Sequence, residues 1–364
     1  EQLENRVADQ VVEILRGERQ VATLSVQLQD QVKQRSHELA DAIKQVMLRR
    51  DDAPLRAGDV VGERARIVAP LGAGGMGRVY LADDLLTGQK VAVKLLRGHI
   101  AADGEALGRF VAEAAAAAEV SHPGIIRTFH VDVDAAGHLY QVMEHVPGVT
   151  LAARAVRGPL PAGETARIGA VIADALAAAH DAGVIHRDIK PANLILCATE
   201  PGVRILDFGL SKLIDEAPAS ASGLTLPQRV VGTPRYMSPE QIQDPGAVAA
   251  PSDVYSLGLV LYELLAGRSP YTATTPAEYC LAHIQATPLP LADAAADVPA
   301  PLTELVHQCL SKDPGTRPTA AALAATLRTL ADTLSAPPIP TTVRRELDAA
   351  TQATTAAATS SPSS

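Results

Sequence analysis

The sequence contains no tryptophan, and aromatic residues of all kinds make up only 3% of its 364 positions. Hydrophobic residues nevertheless account for 47% of the chain, so its cores must be built mostly from Ala, Val, Leu and Ile. The three cysteines, Cys197, Cys280 and Cys309, are odd in number, widely separated and without C-x-x-C spacing. This pattern excludes a disulfide framework and a cysteine zinc site, and it predicts a reducing, cytoplasmic environment.

Long apolar runs are also missing. No stretch approaches the roughly 20 apolar residues of a membrane-spanning helix, and the first residues do not resemble a signal peptide. We therefore expect no membrane segment within this chain, although its start at Glu1 leaves open that it is an excerpt with an anchor elsewhere. The net charge of −9 argues against nucleic acid or an anionic membrane as a general partner.

Residues 1–52 contain no proline and consist largely of good helix formers. Apolar residues recur there every seven positions, at Val7, Ile14, Val21 and Leu28. The pattern predicts a helical, coiled-coil segment that joins two copies into a homodimer. The alternative is one amphipathic helix that lies on a neighbouring surface.

Two further segments are predicted to lack regular structure. Residues 53–58 are predicted to be a linker, and residues 335–364, which are rich in Pro, Thr, Ala and Ser, are predicted to be a disordered tail.

Two polar motifs indicate the chemistry. Residues 186–193 read H-R-D-x-x-x-x-N, and a D-F-G motif begins at Asp207 behind an apolar run. Phosphoryl transfer requires a carboxylate beside the attacking hydroxyl and oxygen ligands for Mg²⁺, because charge spreads over the phosphate oxygens in the transition state. Asp188 can orient a hydroxyl and accept its proton, while Asn193 and Asp207 offer the hard oxygen donors that Mg²⁺ prefers.

A glycine-rich run at 71–77 precedes the strand-like segment V-A-V-K at 91–94. A glycine-rich string alone is weak evidence, since it also opens dinucleotide-binding folds. Here the chain continues after the glycines as β structure through Val79, which indicates a hairpin lid over phosphates. The period of two along a strand places Ala92 and Lys94 on one face. Lys94 is therefore predicted to reach the nucleotide phosphates.

Taken in order, these motifs resemble those of the serine/threonine protein kinases, specifically the bacterial eukaryotic-type (Hanks-type) branch, over roughly residues 58–334. The resemblance implies an α+β, bilobal kinase domain at 59–334. It has a β-rich N-lobe with one αC helix at 59–143, a hinge at 144–146 and a mostly helical C-lobe at 147–334. It implies transfer of the ATP γ-phosphoryl group to Ser or Thr of protein substrates, with Mg²⁺ or alternatively Mn²⁺ as the metal.

The resemblance also assigns roles to individual residues. The implied catalytic residues are Asp188, Lys190, Asn193, Lys94 and Glu113, of which Glu113 pairs with Lys94 from a helix at 107–120. The implied ATP-binding residues are Leu71, Gly72, Ala73, Gly74, Gly75, Met76, Gly77, Val79, Ala92, Lys94, Met143, Glu144, Val146, Ile195 and Asp207. The implied metal ligands are Asn193 and Asp207. Thr233 is expected to dock the substrate near Asp188 and Lys190.

The segment after D-F-G is rich in Ser, Thr, Pro and Gly, as is typical of a mobile regulatory loop. Ser220, Ser222 and Thr225 are the candidate phosphorylation sites, and Thr225 is the preferred one. Arg187 is expected to pair with such a phosphate and order the loop. The alternative is that these hydroxyls are ordinary solvated side chains.

Further predictions concern the frame of the C-lobe. The resemblance implies a buried ion pair between Glu240 and Arg317, and a bracing role for Asp253 under the H-R-D motif. We also expect Ser252 to be the N-cap of a helix. The local patterns predict strands at 60–68 and 184–186 and a helix at 165–182.

Two other functions stay open. One is a pseudokinase-like, ATP-sensing scaffold assembled through the N-terminal helix, which the complete set of catalytic residues disfavours. The other is a small-molecule phosphotransferase, which the peptide-docking segment at 232–240 disfavours.

Overall fold

The computed structural model describes residues 54–74, 77–96, 120–133, 139–206 and 234–334. The helices expected at 1–52 and 107–120, apart from Val120, and the predicted tail lie outside the described residues. The described chain consists of an antiparallel sheet followed by a mostly helical unit. This is the α+β, bilobal architecture that the sequence predicts. No described helix has the length and apolarity needed to cross a membrane.

The N-lobe is a six-stranded antiparallel sheet in the order β1-β2-β3-β4-β6-β5. Its strands are β1 (Val60–Val61), β2 (Ala65–Gly74), β3 (Gly77–Asp84), β4 (Lys90–Leu96), β5 (Thr128–Val133) and β6 (Leu139–Glu144). Along β4, Val91 and Val93 enter a buried core with Tyr80 and Tyr140. Ala92 and Lys94 therefore lie on the opposite face, as the period of two requires.

The single strand predicted at 60–68 is wrong, because the chain reverses at Gly62. β1 pairs with β2 in antiparallel register, and Gly62 has φ 57°. A Cβ at Gly62 would lie 1.7 Å from the Tyr140 hydroxyl oxygen, so only glycine fits this turn. The apolar pattern around the turn concealed it, because both arms of the hairpin are strand-like.

The C-lobe combines helices with a small sheet in the order β7-β8-β9. The strands are β7 (Gly148–Thr150), β8 (Leu194–Cys197) and β9 (Val203–Ile205). The helices are α1 (Leu151–Ala155), α2 (Ala162–Asp181), α3 (Pro239–Gln243), α4 (Ala250–Ala266), α5 (Pro276–Gln285), α6 (Leu291–Ala294), α7 (Ala300–Cys309) and α8 (Ala320–Thr333). Buried Ala, Val, Leu and Ile residues form most of the core.

Small residues allow the central helices to approach closely. A Cβ at Gly169 on α2 would lie 2.7 Å from a methyl carbon of Leu261 on α4 and 3.0 Å from one of Leu327 on α8. A larger side chain there would force the three helices apart. With α2 and α8 packed on it, α4 serves as the buried support behind residues 186–193, the predicted catalytic loop.

Three local predictions in the C-lobe are corrected. Helix α2 begins at Ala162, three residues earlier than the pattern predicts, and residues 184–186 are not in a strand. Helix α4 begins at Ala250 with Ala249 as its N-cap, so Ser252 lies inside the first turn. The signal for this start is Pro251, which is favoured in a first helical turn. The Ser252 hydroxyl instead donates a hydrogen bond to Glu240.

Candidate active site

The backbone of the H-R-D motif is hydrogen-bonded to a carboxylate at the start of α4. The backbone N–H groups of His186 and Arg187 donate to the two carboxylate oxygens of Asp253 at 2.9 and 2.8 Å. His180 Nε2 on α2 lies 2.8 Å from one of the same oxygens. Asp253 is 1% exposed, so these bonds compensate its burial. The predicted bracing of the H-R-D motif by Asp253 is confirmed, and it holds Arg187 in a left-handed conformation with φ 65°.

The ring of His186 connects the catalytic loop to the chain that enters D-F-G. Its Nδ1 accepts the N–H of Asp188 at 3.2 Å. The proton must therefore be on Nε2, which donates to the Leu206 carbonyl at 2.8 Å. The Leu206 amide in turn donates to the Asn193 carbonyl. This role of His186 was not predicted, because its place in the motif is the only sign of it in the sequence.

Asp188, Lys190 and Asn193 meet at one point. Lys190 Nζ lies 2.7 Å from Asp188 Oδ2, and Asn193 Nδ2 donates to the same oxygen at 2.9 Å and to the Asp188 carbonyl at 2.8 Å. Among the described residues no donor contacts Asp188 Oδ1, so that oxygen is the one available to a substrate hydroxyl. Both Asn193 contacts use its Nδ2, which leaves its Oδ1 as the atom available to a metal.

An apolar cluster lies where the N-lobe sheet meets β8. Its members come from both lobes and are Ala92, Ile126, Met143, Val146 and Cys197, with Val79, Ile195 and Leu206 packed against them. Five of these eight are among the predicted ATP-binding residues, and Cys197 is 1% exposed. Ile126 and Leu206 were not predicted, because contacts between distant parts of the chain bring them to the cluster. The Ile126 amide donates to the Ile205 carbonyl, and the Leu206 amide donates to the Asn193 carbonyl.

The described part of the glycine-rich hairpin adjoins this cluster through Val79, which packs against it. Gly72 pairs with Val79 and Gly74 with Gly77 across the β2–β3 hairpin, and a Cβ at Gly72 would meet nothing within 4 Å. The protein's own packing therefore does not demand glycine at Gly72, whereas a phosphate passing close to the backbone would. Lys94, which is 4% exposed, lies opposite Val79 in the next strand.

Several sequence-predicted site residues lie outside the described residues. They are Gly75, Met76, Glu113, Asp207, Ser220, Ser222, Thr225 and Thr233. Leu71 and Ala73 are exposed at the hairpin, beside the described glycines.

The hinge is attached to the C-lobe by an ion pair. Arg204 Nη1 on β9 lies 2.7 Å from Glu144 Oε1 at the end of β6. The Glu144 amide donates to the Arg127 carbonyl at 2.8 Å. Because this amide is engaged, the Glu144 backbone group that remains for a bound base is its carbonyl.

The predicted docking segment is bonded to the catalytic loop. Ser238 and Gln241 form a capping box at the start of α3, and the Gln241 side chain donates to the Arg187 carbonyl at 2.7 Å. The spacing S-x-x-Q was a readable signal for this cap, but its contact with Arg187 spans 54 residues. Gln241 is therefore a site residue that the sequence analysis missed.

The ion pair predicted between Glu240 and Arg317 is confirmed. The two guanidinium nitrogens lie 2.7 and 2.9 Å from the two carboxylate oxygens. Burial by itself would raise the pKa of Glu240, but hydrogen bonds from Arg317 and Ser252 outweigh burial and lower that pKa. Arg317 also donates to the carbonyls of Pro251 and Ser311. The pair thus fixes the end of the docking segment to α4 and to the turn before α8.

The oxygen donors of the site are better suited to a metal ion that arrives bound to a nucleotide than to a metal ion held by the protein alone. Among the described residues no group of three His, Cys, Asp or Glu side chains could hold an ion. Mg²⁺ that arrives with phosphate oxygens needs only one or two protein ligands. Asn193 Oδ1 and the sequence-predicted Asp207 meet that requirement, and the apolar cluster beneath the hinge suits a flat base.

Comparisons with known proteins agree with this geometry. The family described as "Protein kinase domain" matches residues 66–327. The chain is 39% identical over 282 residues to serine/threonine-protein kinase pkn2 of Myxococcus xanthus, covering 76% of this chain and 33% of that protein. It is 38% identical over 261 residues to serine/threonine-protein kinase PknB of Mycobacterium tuberculosis, covering 71% of this chain and 41% of that protein.

A solved structure shows the same fold. The kinase domain of Mycobacterium tuberculosis PknI has a TM-score of 0.61 and 27% sequence identity, over 77% of this chain and all of that domain. The chain spans about a third to two fifths of the length of the curated relatives it matches. The similarity therefore concerns one domain of those larger proteins.

Proposed function

The chain belongs to the protein kinase family, and from that premise we propose that it is an active protein-serine/threonine kinase. It transfers the γ-phosphoryl group of ATP to Ser or Thr hydroxyls of protein substrates. The observation that carries the proposal is the meeting of Lys190 and Asn193 on one oxygen of Asp188, in a loop whose backbone Asp253 holds. The family resemblance to bacterial Ser/Thr kinases adds the choice of acceptor, through Lys190.

In this proposal the chain's residues bind, orient and move a proton. Asp188 Oδ1 accepts the proton of the substrate hydroxyl, while Lys190 and Lys94 neutralise phosphate charge. A cation fixed in the site stabilises the transition state more than a cation in water would, because the site need not reorganise as charge develops on the phosphate. Mg²⁺, or alternatively Mn²⁺, supplies Lewis-acid charge stabilisation when bound, and Asn193 and Asp207 are its protein ligands.

The adenine is proposed to lie in the apolar cluster. Val79 and Ala92 cover it from the N-lobe and Ile195 from the C-lobe, with the Glu144 carbonyl and the Val146 amide as hydrogen-bond partners. Because the phosphoryl donor is ATP, the reaction is proposed to take place in the cytoplasm, where ATP is made and maintained.

The first prediction is autophosphorylation. Incubation with labelled ATP and Mg²⁺ should label the segment between Asp207 and Glu240, with Thr225 as the preferred site, because a phosphate there could pair with Arg187. Mass-spectrometric mapping identifies the labelled residue. The control is Asp207→Ala, which removes a proposed metal ligand and should abolish the label. ATP binding without any label in the unmodified chain would instead favour the scaffold function.

The second prediction concerns residues 1–52. We propose that they form a parallel coiled coil that brings two kinase domains together, because apolar residues recur every seven positions. In a chain that lacks residues 1–52, the rate of autophosphorylation per molecule should then fall as the protein is diluted. In the full chain, the same dilution should lower that rate less. Rates per molecule that do not change with concentration in either chain would contradict dimerisation.

A further inference from the structure

A second polar cluster lies inside the C-lobe, away from the catalytic loop. It joins side chains from α4, α5 and two loops, and its four members are Lys312, Tyr271, Tyr255 and His283, which we call the Lys312 relay. Lys312 Nζ lies 2.8 Å from the Tyr271 hydroxyl, which lies 3.0 Å from the Tyr255 hydroxyl, which in turn lies 2.9 Å from His283 Nδ1. Such a buried network is costly unless each polar group is satisfied.

The direction of every hydrogen bond in the Lys312 relay can be assigned. His283 Nε2 lies 3.2 Å from the Arg235 carbonyl, which can only accept, so Nε2 carries the proton. Nδ1 is then an acceptor, and the Tyr255 hydroxyl must donate to it. The Tyr271 hydroxyl donates to Tyr255 and accepts from the Lys312 ammonium. The bonds therefore run from the half-buried Lys312 ammonium to the Arg235 carbonyl.

This arrangement requires a neutral imidazole. His283 is fully buried, and burial together with the nearby charge of Lys312 lowers its pKa to about 4. A protonated ring would present a second N–H to the Tyr255 hydroxyl and reverse that bond. Lys312 also donates to the carbonyls of Ala282 and His283, which fixes the last turn of α5 to the same ammonium.

The carbonyl at the end of the Lys312 relay belongs to the predicted docking segment. Arg235 and Tyr236 lie in a short 3₁₀ turn at 234–236, and Glu263 holds both of their side chains. Ser256 donates to the Tyr236 carbonyl at 2.7 Å. The Arg235 carbonyl accepts a hydrogen bond from His283, so the relay fixes the backbone of the segment one residue before Tyr236.

The cations of the relay and of the Glu240–Arg317 ion pair lie at the two ends of one turn. Lys312 and Arg317 bracket residues 313–316, and an Arg317 nitrogen donates to the Lys312 carbonyl. Lys312 reaches the first part of the docking segment through the relay, and Arg317 reaches its last part at Glu240. Two cations of one turn thus hold the segment 235–240 near both of its ends.

We propose that the Lys312 relay positions the docking segment for protein substrates, with His283 as the positioning residue that contacts it. The inference rests on the proposed kinase activity and assigns a role in substrate binding to residues outside the catalytic loop. None of the four residues touches the reacting atoms. Their effect should appear in peptide affinity and in the order of the segment, and not in ATP binding.

The test is Tyr255→Phe, which removes one hydroxyl and keeps the ring that stacks against Arg317 at 4.8 Å. We expect the KM for a peptide substrate to rise about tenfold, as the loss of one positioning hydrogen bond allows. The KM for ATP and the slow hydrolysis of ATP should stay within about twofold. Hydrogen exchange at the amides of 235–238 should accelerate about fivefold or more, with no change in β6.

The matched control is Tyr262→Phe on the same helix. Tyr262 is also fully buried, but its hydroxyl has no hydrogen-bond partner among the described residues. Its removal should change neither the peptide KM nor the exchange of 235–238. A second variant, Lys312→Met, removes the cation at the start of the relay and should reproduce the Tyr255→Phe pattern.

Two results would overturn the proposal. One is a folded Tyr255→Phe chain with unchanged peptide KM and unchanged exchange at 235–238. The other is an equal response in Tyr262→Phe, which would mean general loosening of α4. Hydrogen exchange does not depend on turnover, so faster exchange confined to 235–238 supports the relay even if the unmodified chain transfers no phosphate. In that event only the proposed activity fails.

Discussion

Replacing Asp188 with asparagine is expected to lower the turnover number for peptide phosphorylation by about a thousandfold, within the range of positioned general bases. The amide keeps the shape of the side chain but cannot accept the proton of a substrate hydroxyl. If the amide oxygen keeps the place of Asp188 Oδ2, to which Lys190 and Asn193 both donate, the NH₂ group takes the place of Oδ1 and faces the substrate hydroxyl. Steady-state kinetics with a peptide substrate and saturating ATP give the number directly.

ATP affinity should remain within about twofold in the same variant, because the apolar cluster and the glycine-rich hairpin do not depend on Asp188. Equilibrium binding of a fluorescent nucleotide checks this point. The matched control is Asp174→Asn on α2, whose carboxylate is half exposed and, within the described part of the chain, pairs only with Arg328 and His122. It should leave both quantities unchanged. Full turnover in Asp188→Asn would rule out the proton-accepting role.

The sequence predicted those parts of the site that local motifs encode. Asp188, Lys190 and Asn193 are within six positions of one another, so any backbone that turns once can bring them together. Ala92 and Lys94 followed from the period of two in β4, and their shared face is what the sheet shows. In each case the relevant physical constraint acts over a few residues.

What the sequence did not predict depends on contacts between distant residues. The Lys312 relay joins Tyr255 to a lysine 57 positions away, and Gln241 reaches a carbonyl 54 positions away. No local period marks such pairs, since a buried Tyr or His reads as ordinary core. The β1–β2 reversal was missed for the same reason, because Gly62 lies against the distant Tyr140. The start of α4 is different: Pro251 is a local signal for it, and the Ser252 cap signal was preferred in error.

The C-lobe frame and the catalytic loop are coupled through α4. Asp253 holds the H-R-D backbone, while Ser252, one residue earlier, donates to Glu240. A change at the Glu240–Arg317 pair should therefore be felt at the loop as well as in stability. Through this coupling the ion pair contributes to the geometry of the H-R-D loop as well as to stability.

Replacing Arg317 with methionine is expected to lower the free energy of unfolding by about 3–5 kcal/mol, because it leaves the buried Glu240 carboxylate without its partner. The Arg317 side chain has no exposed surface, and that of Glu240 is 12% exposed. The midpoint of urea unfolding measures the loss. The control is Arg328→Met, whose side chain is 57% exposed in a surface pair and should cost less than about 0.5 kcal/mol.

Acid should remove the same contribution from the unmodified chain. The pKa of Glu240 is lower in the folded protein than its ordinary value of 4.5, so the unfolded chain binds more protons. Stability from the pair is therefore fully present above pH 4.5 and is lost as pH falls below it, through the lowered folded pKa. In Arg317→Met that acid-dependent loss should shrink or reverse, because burial then raises the pKa of an unpaired carboxyl. Equal acid sensitivity in both chains would show that the ion pair with Arg317 is not what lowers the pKa of Glu240.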